Sequence, residues 1–183
     1  RSLARQPSVA RAAVPLFLNV CRLMIGAAAL IFALEANGLP AIAALIGFAI
    51  ALAVLNAQLT VWLHAATPFS KIFDGLVDYL SLIVAPWALT RTLVAGPPRT
   101  ALQEVLLDLP LLAGALRVAR NSLLSHDRSR PGLDASFFAF VGVATVFLRL
   151  PEMLTGAQLS VYLIPAVAIL SMMMIVTLAY PSV

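Results

Sequence analysis

Apolar residues run along this chain in long uninterrupted blocks, with polar residues gathered between them. Six blocks predict helices, over Val14 to Leu34, Leu39 to His64, Ile72 to Val94, Ala101 to Leu124, Ala135 to Leu150 and Leu159 to Tyr180. Breakers separate them: "ANGLP", "AATPF", "AGPP", "SRPG" and "LPEMLTG". A membrane-spanning helix needs about 20 mainly apolar residues. Irregular backbone cannot face lipid, so each block is read as helical. Pro86, Pro110 and Pro165 lie inside blocks and predict kinks, which neighbouring helices must satisfy. The expected fold class is all-α: a polytopic membrane protein with six transmembrane helices. Residues 1–12 form a basic segment at the membrane surface and 13–183 a single domain, with no internal repeat or low-complexity tract.

Composition strengthens the membrane reading. The 183 residues are 62% hydrophobic and 11% charged, where a soluble domain is about 45–50% apolar and about 25% charged. Six spans with short loops leave no room for a separate soluble domain. The net charge of +4 reads as basic loops against one face of a bilayer, so no nucleic acid is expected as a partner. With the N-terminus inside, Arg1, Arg5, Arg11, Arg22, Lys71, Arg117, Arg120, Arg128 and Arg130 collect on the inner side. Only Arg91, Arg99 and Arg149 fall outside, which puts both termini inside.

The opening "RSLARQPSVARAAV" is Arg- and Ser-rich, and no acid occurs before Glu35. Two readings stand: the end of a mitochondrial targeting segment, or a basic stretch lying on anionic headgroups. The first makes the mitochondrial inner membrane the expected home, and the alternative is a bacterial cytoplasmic membrane. Cys21 is single and has no partner for an internal disulfide, and His64 and His126 lack metal-ligand spacing. Trp62, Trp87 and Tyr180 read as interfacial anchors, and Met172 to Met174 as packing.

Polar residues inside the blocks carry the candidate chemistry, because an Asp or Arg at a span centre costs about 2.5–3.5 kcal/mol. They are Asn19 and Arg22, Asn56, Asp74 and Asp78, Glu104 and Asp108, then Arg117 and Arg120. Asp74 and Asp78 lie one helical turn apart and share a face that Ser70 and Ser81 continue. Most of those in the first three helices fall toward the inner side, where one polar cavity can gather them.

In order and spacing these residues resemble the CDP-alcohol phosphatidyltransferases, and within them the bacterial-type phosphatidylserine synthases. That family carries D-x-x-D-G-x-x-A-R, eight residues, then G-x-x-x-D-x-x-x-D across its second and third helices. "FSKIFDGLVDYLSLIVAP" (Phe69 to Pro86) fits the third-helix segment without a gap, with Ser70 on the second Gly and Asp74 and Asp78 on the last two Asp. "NVCRLMIGAAALIFAL" resembles the first helix, "ALRVARN" (Ala115 to Asn121) the family's "ALRLARFN", and the closing "YPS" its final helix. The resemblance covers nearly the whole chain and implies a phosphatidyltransferase-like six-helix bundle.

The departures fall on the chemistry. Ala53 stands at the first motif Asp, Asn56 at the second, Ala57 at the first Gly, Thr60 at the Ala and Val61 at the Arg. In the family, the first three Asp hold divalent metal on the CDP-lipid diphosphate and the fourth acts as base. The small residues admit the nucleotide to the backbone. Diphosphate transfer needs concentrated positive charge where negative charge develops, and Mg²⁺ demands near-octahedral oxygen ligation. Two lost carboxylates and a lost guanidinium therefore predict loss of metal binding and catalysis together. Glu104 and Asp108 lie deeper or on the outer half of the fourth helix, poorly placed to substitute.

Asp74 and Asp78 are accordingly expected to be a relic pair, in a wet cavity or neutralised by cations, rather than a residual metal or base site. For Arg117 and Arg120 two readings stand: holding a phospholipid phosphate, or interfacial snorkelling with salt bridges to Asp74 or Asp78. The expected function is a catalytically inactive, phosphatidyltransferase-like accessory subunit of a larger membrane complex, respiratory or otherwise energy-transducing. Its expected partners are the bilayer, phospholipids and other membrane subunits, and no cofactor is expected. The alternative is an active CDP-diacylglycerol-dependent phosphatidyltransferase with an atypical Mg or Mn site.

Overall fold

Helix starts in this protein are set by capping side chains placed at the breakers. Thr67 caps one helix, accepting from the Ser70 N–H at 3.0 Å while the Ser70 hydroxyl oxygen accepts from the Thr67 N–H at 2.8 Å. Thr100 with Gln103 and Thr155 with Gln158 form the same reciprocal box, and Asp134 accepts from the Ser136 N–H. Gly38 takes φ 57°, a left-handed turn that favours glycine, and Pro40 follows inside the next helix. The computed structural model describes residues 9–35, 38–65, 67–96, 98–123, 134–148 and 150–176.

The described elements are α1 (Val9–Leu34), α2 (Leu39–Trp62), α3 (Pro68–Tyr79), a π-helical turn (Leu80–Val84), α4 (Ala85–Leu93), α5 (Ala101–Leu123), α6 (Ala135–Phe147), α7 (Leu150–Met153) and α8 (Gly156–Ile175). The described residues contain no strand. α3, the π-turn and α4 form one continuous rod, Phe69–Leu93. The expectation that Pro86 bends this rod is answered by the π-turn. Pro86 has no N–H, and in a regular helix its ring would crowd the carbonyl four residues back. The Ala85 N–H reaches the Leu80 carbonyl instead, a wider turn that accommodates the proline.

Large apolar side chains are exposed around the outside of the bundle, among them Phe17, Met24, Phe48, Trp62, Leu112, Phe140 and Tyr162. Alanine is the commonest residue of the buried core, including Ala29, Ala43, Ala85, Ala113 and Ala139, interleaved with larger side chains such as Ile42, Ile46, Leu89, Phe138 and Met174. This arrangement, with small residues between helices and large ones facing out, is that of helices packed in lipid. α1 packs chiefly on α2, α5 on α8, and α2 on α6. The closest approaches grip the π-turn from both sides. A Cβ on Gly26 of α1 would lie 2.9 Å from the Ser81 Cα, and one on Gly114 of α5 would lie 3.1 Å from Tyr79 and closer still to Ile83.

Four segments are long and apolar enough to cross a membrane: Ala13–Leu34, Leu39–Trp62, Phe69–Leu93 and Gly156–Ile175. The protein is an all-α integral membrane protein, and among the described residues four of the six expected spans meet this criterion. The fourth expected span is helical as α5 but carries Glu104, Asp108, Arg117 and Arg120. The fifth ends at Phe147 after 13 residues, about 20 Å of helix against about 30 Å of hydrocarbon. Most of the basic segment over residues 1–12, the loop with His126, Arg128 and Arg130, and Tyr180 with the closing "YPS" lie outside the described residues; α1 begins inside that segment, at Val9.

Candidate functional site

The polar residues of the first three helices meet at one point. Arg22 lies about 14 Å along the helix from the start of the α1 span, and it is 1% exposed. A guanidinium at that depth is costly unless every side of it is answered. Its Nη1 donates to Asp74 Oδ1 and to Asn19 Oδ1, each at 3.2 Å. Its Nη2 donates to Asp78 Oδ1. Asn56 of α2 donates from Nδ2 to Asn19 Oδ1 and to Asp74 Oδ1, each at 3.0 Å. Asn19 and Asn56 are also buried, whereas the two carboxylates are over a third exposed.

The helical spacing explains the convergence. Asn19 and Arg22 are three apart on α1, and Asp74 and Asp78 four apart on α3, so each pair projects from one face. Arg22 spans the α3 pair as a fork, contacting one oxygen of each carboxylate. Two buried atoms, Arg22 Nε and Asn56 Oδ1, have no hydrogen-bond partner among the described residues.

The expected neutralising cations are corrected here. The structure turns Arg117 to Asp134 at 3.5 Å and Arg120 to the Ile175 carbonyl at 3.3 Å, while Asp74 and Asp78 take Arg22. Arg22 was legible as an intramembrane polar residue. Its role as the partner of the pair depends on how α1 and α3 are rotated against each other. Ser70 serves the Thr67 capping box. Of the degenerate motif positions, Asn56 enters the network, while Ala53 is half-buried against the core and Thr60 half-buried. Ala57 and Val61 face outward, where with Gln58 and Trp62 they line a shallow surface hollow.

A second cluster ties α4 to α5 at the other end of the rod. Arg91 Nη2 donates to Glu104 at 2.7 Å, and its Nη1 lies 3.4 Å from Asp108. Arg99 stands 3.1 Å from Glu104. Trp87 donates from Nε1 to Asp108 at 3.0 Å, and the Arg91 guanidinium covers its ring at 5.3 Å. Trp87 is therefore held inside this cluster. Glu104 and Asp108 are far from Asp74 and Asp78 in the fold and are committed to arginines.

A divalent metal of the kind the resemblance implies does not fit the residues present. One oxygen of each carboxylate is taken by a guanidinium, which repels a second cation. The opposing wall offers Ala53, with no ligand, and Asn56, whose donor nitrogen faces Asp74. Mg²⁺ requires near-octahedral oxygen ligation. Among the described residues, no three His, Cys, Asp or Glu side chains gather at a metal-binding spacing. No family model, curated protein or solved structure matches this chain.

Proposed function

We propose that this is a phosphatidyltransferase-like membrane protein without catalytic capacity, serving as a structural accessory subunit of a larger membrane assembly. The observation that carries the reading is Arg22, buried between Asp74 and Asp78. An enzyme transferring a diphosphate-linked group needs those carboxylates free to gather positive charge on the substrate. Here a guanidinium already engages one oxygen of each and offsets one of their two charges. Ala57 and Val61 are exposed and bring no carboxylate or guanidinium to the site, which supports the same conclusion.

Six crossings belong to this proposal. The charges that mark α5 are answered within the bundle: Glu104 and Asp108 by Arg91, and Arg117 by Asp134. Pairing lowers the cost of immersing that helix, and α6 crosses where the bilayer thins or the flanking residues extend it. The acid-free, Arg- and Ser-rich start supports the mitochondrial inner membrane and an energy-transducing complex as its home, against a bacterial cytoplasmic membrane. Arg117 and Arg120, at the inner helix ends, supply phosphate-binding chemistry for a bound phospholipid.

Incubating the purified protein with CDP-diacylglycerol, serine and either Mg²⁺ or Mn²⁺ tests the reading. No phospholipid product is expected, and product formation overturns it. Co-purification with other membrane subunits is expected, and isolation as a lone homodimer holding CDP-lipid counts against the accessory role. The second reading, an active phosphatidyltransferase, draws on the partial exposure of Asp74 and Asp78. It requires Arg22 to withdraw before metal enters.

A further inference from the structure

We infer that Arg22 is the resident cation of the Asp74–Asp78 pair, making the pair a metal-independent clamp that ties α1 and α2 to α3. This rests on the reading above, and it extends that reading from lost activity to a gained structural part. Arg22 reaches one oxygen on each carboxylate across 52 and 56 residues of sequence. A divalent cation that bridges two carboxylates sits between their oxygens. The guanidinium fork takes that seat with a charge that cannot be titrated away. Asn19 and Asn56 complete the clamp, because the Asn19 carbonyl oxygen accepts from both Arg22 and Asn56. Every shared acceptor in the network therefore binds a donor carried by the chain itself.

Removing the cation exposes the logic. With a neutral side chain at position 22, two carboxylates one turn apart are left beside the Asn19 oxygen and the Asn56 amide, whose own oxygen is buried without a partner. That oxygen-rich set suits a hard cation. The experiment uses the full chain in detergent micelles, with Mn²⁺ as the probe, read by electron paramagnetic resonance and by thermal unfolding. The wild-type protein is expected to bind no Mn²⁺ and to unfold at the same temperature in EDTA and in millimolar Mn²⁺. Arg22→Met is expected to lower the unfolding temperature by on the order of 10 °C, with Mn²⁺ now bound and restoring part of the loss. The triple variant Arg22→Met/Asp74→Asn/Asp78→Asn removes the orphaned charges and is expected to recover stability without Mn²⁺.

Mn²⁺ bound by the wild-type protein and released by Asp78→Asn overturns the inference. So does an Arg22→Met protein as stable as wild type. If Arg22→Met fails to fold, the triple variant decides: folding supports the clamp, and failure overturns its charge-pairing basis. The same wild-type preparation is assayed for phosphatidyl transfer. Activity without bound Mn²⁺ sinks the proposed function and leaves the Arg22 assignment standing. Bound Mn²⁺ without activity does the reverse.

Discussion

The rod formed by α3, the π-turn and α4 carries an ion-pair cluster toward each end, and the two are built differently. Toward its start, one buried arginine serves two carboxylates and one buried amide, with a second buried amide bridging Asn19 and Asp74, and it joins segments more than fifty residues apart. Toward its end, two arginines serve two carboxylates and a tryptophan, joining α4 to the start of α5 across 13 to 21 residues. Arg91, Glu104 and Asp108 are all more than a third exposed, where Arg22 is 1% exposed. Solvent and headgroups can replace any lost partner in the second cluster. In the first, Arg22, Asn19 and Asn56 are buried, so losing an acid leaves a guanidinium in a medium that cannot hydrate it, while the acids themselves are about as exposed as those of the second cluster. Similar residue types thus make a clamp that specifies helix placement at one end and a surface staple at the other.

The largest expected effect separates the two directly. Replacing Arg22 by Met should cost about 2–4 kcal/mol of stability, because it leaves two partly exposed carboxylates and the buried Asn19 oxygen without their guanidinium donor. The same replacement at Arg91 should cost under about 1 kcal/mol. Unfolding of both variants in one detergent measures the difference, and equal losses would erase the distinction. Next comes the seat of the clamp. Gly26 is one turn beyond Arg22 on α1, and its Cα face meets the backbone of Ser81. Gly26→Ala should cost about 1–3 kcal/mol by pushing α1 from the π-turn. Wild-type stability there would show that the contact yields easily.

A smaller effect is expected from Glu104→Gln, which keeps shape and removes charge. It should cost well under about 1 kcal/mol, given the exposure of Glu104 and its two arginine neighbours. Salt sharpens the contrast most gently. Raising ionic strength to about 1 M shortens the screening length to about 3 Å. The stability gap between wild type and Arg91→Met should then close, while the gap for Arg22→Met persists. A salt-sensitive Arg22 gap would mean that water reaches the clamp.

Much of the architecture was readable from local signals. The breakers predicted helix boundaries, and capping residues at Thr67, Thr100, Asp134 and Thr155 sit where the blocks begin. Span counting exceeds the four segments that qualify by length and hydropathy. The Ala135 block was read through to Leu150, but the helix stops at Phe147, and hydropathy alone could not weigh the four charges of α5. The Asp74–Asp78 pair was visible from its spacing. Its partner was not, because Arg117 and Arg120, at a helix end, offer equally suitable cations in the linear order on one of their two readings.

The sequence by itself determined that this chain is helical, apolar throughout and membrane-embedded, and that two acids share one face of its third block. Those properties depend on composition and on short-range periodicity, which a linear pattern carries completely. The tertiary structure alone decided that Arg22 fills the space between the acids, that Ala57 and Val61 turn outward, and that Pro86 is absorbed by a π-turn. Each depends on the rotation of one helix about its axis relative to another. A rotation of about 100° per residue moves a side chain from the bundle to lipid without changing any local preference.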